Sequence, residues 1–308
     1  GADAAMTVAA GTEALPRRRG LASDAGSWDT PASREIDSRG EGPDMHPVMR
    51  QETARLRLAE LFAHPSTVWA VHYSCQSFYQ GERLGSPRIT SIAARNLGSG
   101  QTHSFSFHQA IELKRLAPVR VLGVLDELER ELLDGYFEFL RANRNMRFLH
   151  WHMRDTNFGF TAIEHRYRVL GGEPVSLHDA NTYDLARILP DRYGPDYAPP
   201  PRLLSLAERN GFSSAGFLNG NEEAAAFENG RYFAVLQSNL RKVAVITEVA
   251  AAANANALKT DASVWAQHCG HLSALAQTVW GNPLVRIAGV VFSGISAGLY
   301  LGNMLGVF

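Results

Sequence analysis

From Ala262 to Phe308 the only Asp, Glu, Lys or Arg is Arg286, so nearly all the charge of the chain lies before this stretch. So long a segment with a single charge belongs in a lipid bilayer or a deeply buried core. Its last part, residues 287–308 (IAGVVFSGISAGLYLGNMLGVF), carries no charge at all. As a helix it would span roughly 33 Å at 1.5 Å per residue, against a hydrocarbon core of about 30 Å. Within it Gly294, Gly298, Gly302 and Gly306 recur every four residues. Each glycine costs a helix in water roughly 1 kcal/mol relative to alanine. The spacing places all four on one slowly drifting face, and a smooth face lets a second helix approach closely in lipid. The pattern predicts a transmembrane helix over about 287–308 that packs against copies of itself. A core helix of a soluble oligomer is the competing reading.

Residues 262–280 are uncharged but less apolar, and Asn282-Pro283 separates them from the terminal helix. They read as an interfacial helix anchored by Trp265 and Trp280, or as the second arm of a hairpin. Arg286 stands where it reaches a headgroup layer. The repeated small residues are similar to the glycine zippers of membrane-inserting and pore-forming segments.

The preceding chain is ordinary by contrast. A formal net charge of -1 over 308 residues excludes a global basic field for nucleic acid. The two cysteines, Cys75 and Cys269, make neither a disulfide framework nor a zinc motif. Residues 1–48 are rich in Gly, Ala, Ser, Pro and charge, and read as a disordered leader. Arg17, Arg18 and Arg19 precede no apolar run of secretory-signal length, and Met45 or Met49 is an alternative start.

Periodicity predicts one layered domain over 49–260. A helix over 50–64 is followed by strands at 66–75, 88–97 and 101–108, joined as an antiparallel meander. Next come a helix over 125–143, a strand at 145–151, a helix over 156–172 stopped by Gly171 and Gly172, and a strand-to-helix passage over 175–189. Asp179, Asn181 and Thr182 are the cap candidates for that passage. The loop 191–201 leads to a helix over 202–212 ending at Gly211, and 222–259 reads as helix broken at Asn229-Gly230. Antiparallel strands followed by parallel crossovers define an α/β mixed sheet flanked by helices.

This order resembles the ribonuclease H-like fold, and several segments resemble its DnaQ-like (DEDD) 3′–5′ exonuclease family. NTYDLARILPD followed by RLLSLAERNGF is similar to that family's capped Leu-Ala-Arg helix, loop and Ser-Leu helix ending before glycine. WAVHYSCQS falls at its first metal-binding strand and FLHWHMRDTNFGF at its second acidic motif, so the resemblance spans about 66–250. It implies clustered carboxylates holding two divalent ions that activate water and stabilise the leaving oxygen. At the matching positions the paired acids of the first strand fall at His72 and Ser74. The second falls at Asn157, with Asp155 two residues away, and the third motif has no acid. Glu222, Glu223 and Glu228 lie near it and read as a solvated helix face. The resemblance therefore implies a degenerate site without resident metal. Mg²⁺ or Mn²⁺ enters only if a rearranged site uses Asp155, Glu164, Asp179 or Asp184.

Other constellations read blandly. His150 and His152 share a strand side, as a metal would need, but local hydrogen bonds explain them more simply, and His165 flanks them. His268 and His271 have no further ligands in view. Cys75 reads as a structural thiol. Arg141, Arg144 and Arg147 form a small basic cluster, a solvated face with phosphate contact as the alternative.

The expected protein is a cytoplasmic exonuclease-like sensor or binding domain, soluble until activated, that controls an oligomerising membrane tail. Its expected partners are a membrane, copies of itself, and a nucleic acid or protein at the domain. The layout resembles membrane-acting effectors of bacterial antiviral defence. The alternatives are a membrane-tethered metal-dependent exonuclease and a tail-anchored scaffold.

Overall fold

The structure, a computed structural model, describes residues 46–76, 86–154 and 158–262. The leader, the terminal segment with Gly294, Gly298, Gly302 and Gly306, and the positions Asp155 and Asn157 lie outside the described residues. Among those described, no helix is long and apolar enough to cross a membrane.

Five strands form one mixed sheet. They are β1 (Val68–Cys75), β2 (Ile89–Asn96), β3 (Thr102–Ser106), β4 (Arg147–His150) and β5 (Thr182–Asp184), arranged β3-β2-β1-β4-β5. β1, β2 and β3 run antiparallel, while β4 joins β1 and β5 joins β4 in parallel. The meander and the two parallel additions match the sequence expectation. The described helices are α1 (Pro47–Ala63), α2 (Phe107–Leu113), α3 (Pro118–Val121), α4 (Leu125–Asn143), α5 (Phe160–Val169), α6 (Leu185–Tyr193), α7 (Arg202–Asn210), α8 (Gly220–Glu228) and α9 (Tyr232–Asn254).

Both faces of the sheet are covered, which the near-continuous burial of β1 requires. Val68 and Ala70 of β1 point into a core shared with Leu58 and Leu61 of α1, Leu185 and Leu189 of α6, Leu206 of α7 and Ile246 and Val249 of α9. Trp69, Val71 and Tyr73 point the other way, into a core with Leu132, Leu133 and Phe137 of α4 and Ile163 and Tyr167 of α5. Phe227 of α8 and Val235 of α9 join this second core.

Local chemistry sets the ends. Gly211 closes α7 in the left-handed conformation at φ +70°, the reason a glycine stands there. Asn219 and Glu222 form a reciprocal capping box on α8. One expectation is corrected: the cap of α6 is Asp184, whose side chain accepts the Ala186 N–H, and not Asp179, Asn181 or Thr182. The strand before α6 begins only at Thr182, so those three residues sit at the wrong end of it. Asp179 instead opens a short 3₁₀ turn and is exposed.

Candidate functional site

β1, β4 and β5 are parallel to one another, so their carboxyl ends meet on one edge of the sheet. In open α/β sheets that edge is where ligands bind. Alternation along β1 puts His72 and Ser74 on the same face as Val68 and Ala70. Ser91 of β2 stands opposite Ser74. α9 packs over this face and brings Asn239 and Lys242, one turn apart, down onto it. Asn239 Nδ2 donates to the Ser91 carbonyl at 2.9 Å and lies 3.3 Å from its hydroxyl.

Lys242 Nζ is 2.7 Å from Glu223 Oε1 of α8, with both side chains buried. The same oxygen accepts the Ser238 hydroxyl at 2.6 Å, and that hydroxyl accepts the Leu218 N–H at 3.0 Å. An ammonium and a carboxylate are thus locked together beneath α8 and α9. Burial, reinforced by the nearby Lys242 charge, holds His72 well below the ordinary histidine range, so its ring is neutral. Burial and Glu223 push the Cys75 thiol up to about 12, which keeps it protonated and unreactive.

A second cluster lies on β4 and β5. His150 stands opposite Asp184 in the register, with its Nδ1 3.8 Å from Asp184 Oδ1. That nitrogen accepts the Met153 N–H at 3.1 Å. Asp184 Oδ1 accepts the His152 N–H at 3.0 Å and the Ala186 N–H at 3.1 Å, while Arg154 Nε lies 2.7 Å from Oδ2. Burial would raise the Asp184 pKa, but His150, His152 and Arg154 outweigh it and hold the carboxylate below its usual range. Burial pushes His150 down to about 4, so it is neutral at pH 7.

These residues do not fit a pair of divalent ions. Such ions need several carboxylate or other oxygen ligands free to coordinate. Here His72 and Ser74 supply a neutral ring and a hydroxyl, Glu223 is bound to an ammonium, and Asp184 is bound to a guanidinium. Among the described residues no group of three or more His, Cys, Asp or Glu is placed to hold a metal ion.

The structure corrects two expectations about these side chains. Glu223 is not on a solvated face; it is buried in the ion pair with Lys242. His152 does not share a strand side with His150, because β4 ends at His150 and His152 adopts φ +57°. The local-hydrogen-bond reading of His150 holds. Glu164 lies away from this edge on α5, engaged by Arg168 at 3.1 Å and the Ser176 hydroxyl at 2.8 Å. The arginine cluster lies at the amino end of β4. There Arg141 donates to the Glu173 carbonyl at 2.7 Å, Arg147 pairs with Glu60 at 3.4 Å, and Arg144 caps α4 in solvent. Lys242 and Arg154 escaped the sequence reading; the signal for Lys242 was a lysine at the start of the apolar run VAVITEVAAAA.

No family model, curated protein or solved structure matches the chain. Function is therefore argued from the chemistry of this edge.

Proposed function

We propose that residues 49–260 form a non-hydrolytic sensor or binding module of ribonuclease H-like architecture, which governs a glycine-patterned membrane segment at residues 287–308. The observation that carries the first half is the 2.7 Å pair between Lys242 and Glu223 beside His72 and Ser74. Two-metal chemistry needs free carboxylates, whereas Glu223 is held by an ammonium and Asp184 by a guanidinium. The strand order supports the architecture. The second half rests on the spacing of Gly294, Gly298, Gly302 and Gly306 in a charge-free segment. A trigger bound by the module frees or orients the segment, which oligomerises and breaches the membrane. An effector role in antiviral defence rests on the analogy of this layout and on no residue-level motif.

Full-length protein incubated with single-stranded DNA and RNA in Mg²⁺ or Mn²⁺ should leave both intact. Metal-dependent degradation lost in Asp155→Ala, Asp179→Ala or Asp184→Asn would overturn the non-hydrolytic reading and restore the exonuclease alternative. Liposomes should leak with the parent protein and not with Gly298→Leu/Gly302→Leu. Equal leakage sinks the glycine seam, and membrane fractionation without leakage favours a tail-anchored scaffold.

A further inference from the structure

The described surface exposes seven large apolar side chains, and three of them, Leu113, Val119 and Leu122, fall within ten residues at 77%, 86% and 75% exposure. A fourth, Phe233, sits beside this segment, its ring 5.0 Å from that of His108 on α2. The fold does not need these side chains outside. The α2–α3 segment is anchored by Phe107, Ala110 and Val121, which are buried in the second core, and Leu116 packs against it. In α3, Val121 points in while Val119 and the following Leu122 point out.

Cations frame the apolar tips. Arg115, Arg120 and Arg231 are exposed, and among the described residues no carboxylate lies within ion-pair distance of them. Two neighbouring carboxylates are already engaged, Glu112 with His108 at 3.3 Å and Glu131 with Lys114 at 2.8 Å, while Glu127, exposed on α4, lies on the Lys114 side. A symmetric contact between two copies of this face would bring like charges together. An anionic lipid surface accepts both halves of the pattern, apolar tips between headgroups and guanidinium groups on phosphates.

We infer that the α2–α3 segment, with Phe233, is a peripheral docking face for anionic bilayers. It uses residues other than the glycine-patterned segment and acts independently of it. Val119 and Leu122 enter the headgroup layer while Arg115, Arg120 and Arg231 hold lipid phosphates.

The test is hydrogen–deuterium exchange on the full chain, with and without vesicles of phosphatidylglycerol mixed into phosphatidylcholine. Backbone amides of residues 110–124 should exchange several-fold more slowly with the anionic vesicles and be unchanged with phosphatidylcholine alone. Gly298→Leu/Gly302→Leu should keep this local protection, so failure of the glycine seam and failure of this face are separable. Arg115→Gln/Arg120→Gln/Arg231→Gln should weaken the face roughly 100-fold and lose the protection at vesicle concentrations that protect the parent. Val119→Asp/Leu122→Asp should lose it with an unchanged melting temperature, since both side chains are exposed. Absence of local protection with anionic vesicles overturns the inference. So does equal protection from phosphatidylcholine alone, or protection that rises with protein concentration without lipid, the mark of self-association.

Discussion

Lys242 and Glu223 form the buried ion pair on which the proposed non-hydrolytic reading rests. Removing the ammonium alone, in Lys242→Met, leaves a carboxylate buried against one hydroxyl. Unfolding stability in urea should fall by about 3–5 kcal/mol. Lys242→Met combined with Glu223→Leu should recover most of that loss, because apolar replacements of a buried pair are often near neutral. A loss under about 1 kcal/mol in the single variant contradicts a buried pair. The histidines add a pH dependence. His150 is neutral in the fold at pH 7 and titrates near 4, against about 6.5 when unfolded. Between those values the unfolded chain binds a proton that the folded chain refuses, so stability falls as pH drops from about 6.5 to 4. His72, also held low by burial, acts in the same direction. Asp184, held below its usual range, adds a further loss at still lower pH as it takes up its proton. His150→Asn, which keeps an acceptor for the Met153 N–H but does not titrate, should flatten the urea-derived stability profile between pH 4 and 6.5. An unchanged slope would mean that His150 is not the group refusing the proton. Half of this chemistry was legible beforehand: His72 and Ser74 are visibly not acids. The cations were not legible, because which helix lays Lys242 on β1 is decided by packing over long sequence distances and not by spacing.

At the scale of the element, periodicity was a strong guide wherever one face is apolar and the ends carry chemical punctuation. The helix over 125–143 matches its expected bounds, and α7 ends where Gly211 supplies the left-handed residue. Asn229-Gly230 breaks 222–259 into α8 and α9 as read. The short helix α2 was missed because QTHSFSFH alternates like a strand to its end, while the Ser106 hydroxyl starts a helix by accepting the Gln109 N–H. The cap of α6 was misplaced for a related reason. Polar residues crowd HDANTYD, and only the three-residue length of β5 selects Asp184. That cap also tests the site. Asp184→Ala removes acceptors for the His152 and Ala186 amides and leaves Arg154 without its partner. The expected cost is about 2–3 kcal/mol, more than the roughly 1 kcal/mol of an ordinary cap. Asn219→Ala, which breaks the α8 capping box in solvent, should cost only about 1 kcal/mol. Equal costs in urea denaturation would show that Asp184 is a cap and nothing more.

Across the whole molecule, the parallel carboxyl ends of β1, β4 and β5 create an edge suited to ligands, and α9 closes part of it with a cation. If Lys242 is what excludes divalent ions there, adding acids alone will recruit them only weakly. In His72→Asp/Ser74→Glu the Lys242 ammonium is already paired with Glu223 and cannot neutralise two further carboxylates, but it stays on the same buried face and repels a divalent ion. Mn²⁺ should therefore raise the melting temperature of that double variant far less than that of a variant without the cation, and that of the parent not at all. Adding Lys242→Asp removes the internal cation, frees Glu223, and leaves an excess of buried negative charge. The triple variant should be destabilised without metal, because like carboxylates repel and are desolvated. It should regain stability with Mn²⁺, by an amount that grows with the logarithm of metal concentration above the dissociation constant. Calorimetric scans across a Mn²⁺ series separate the outcomes. Stabilisation of the double variant equal to that of the triple would show that Lys242 does not guard the edge.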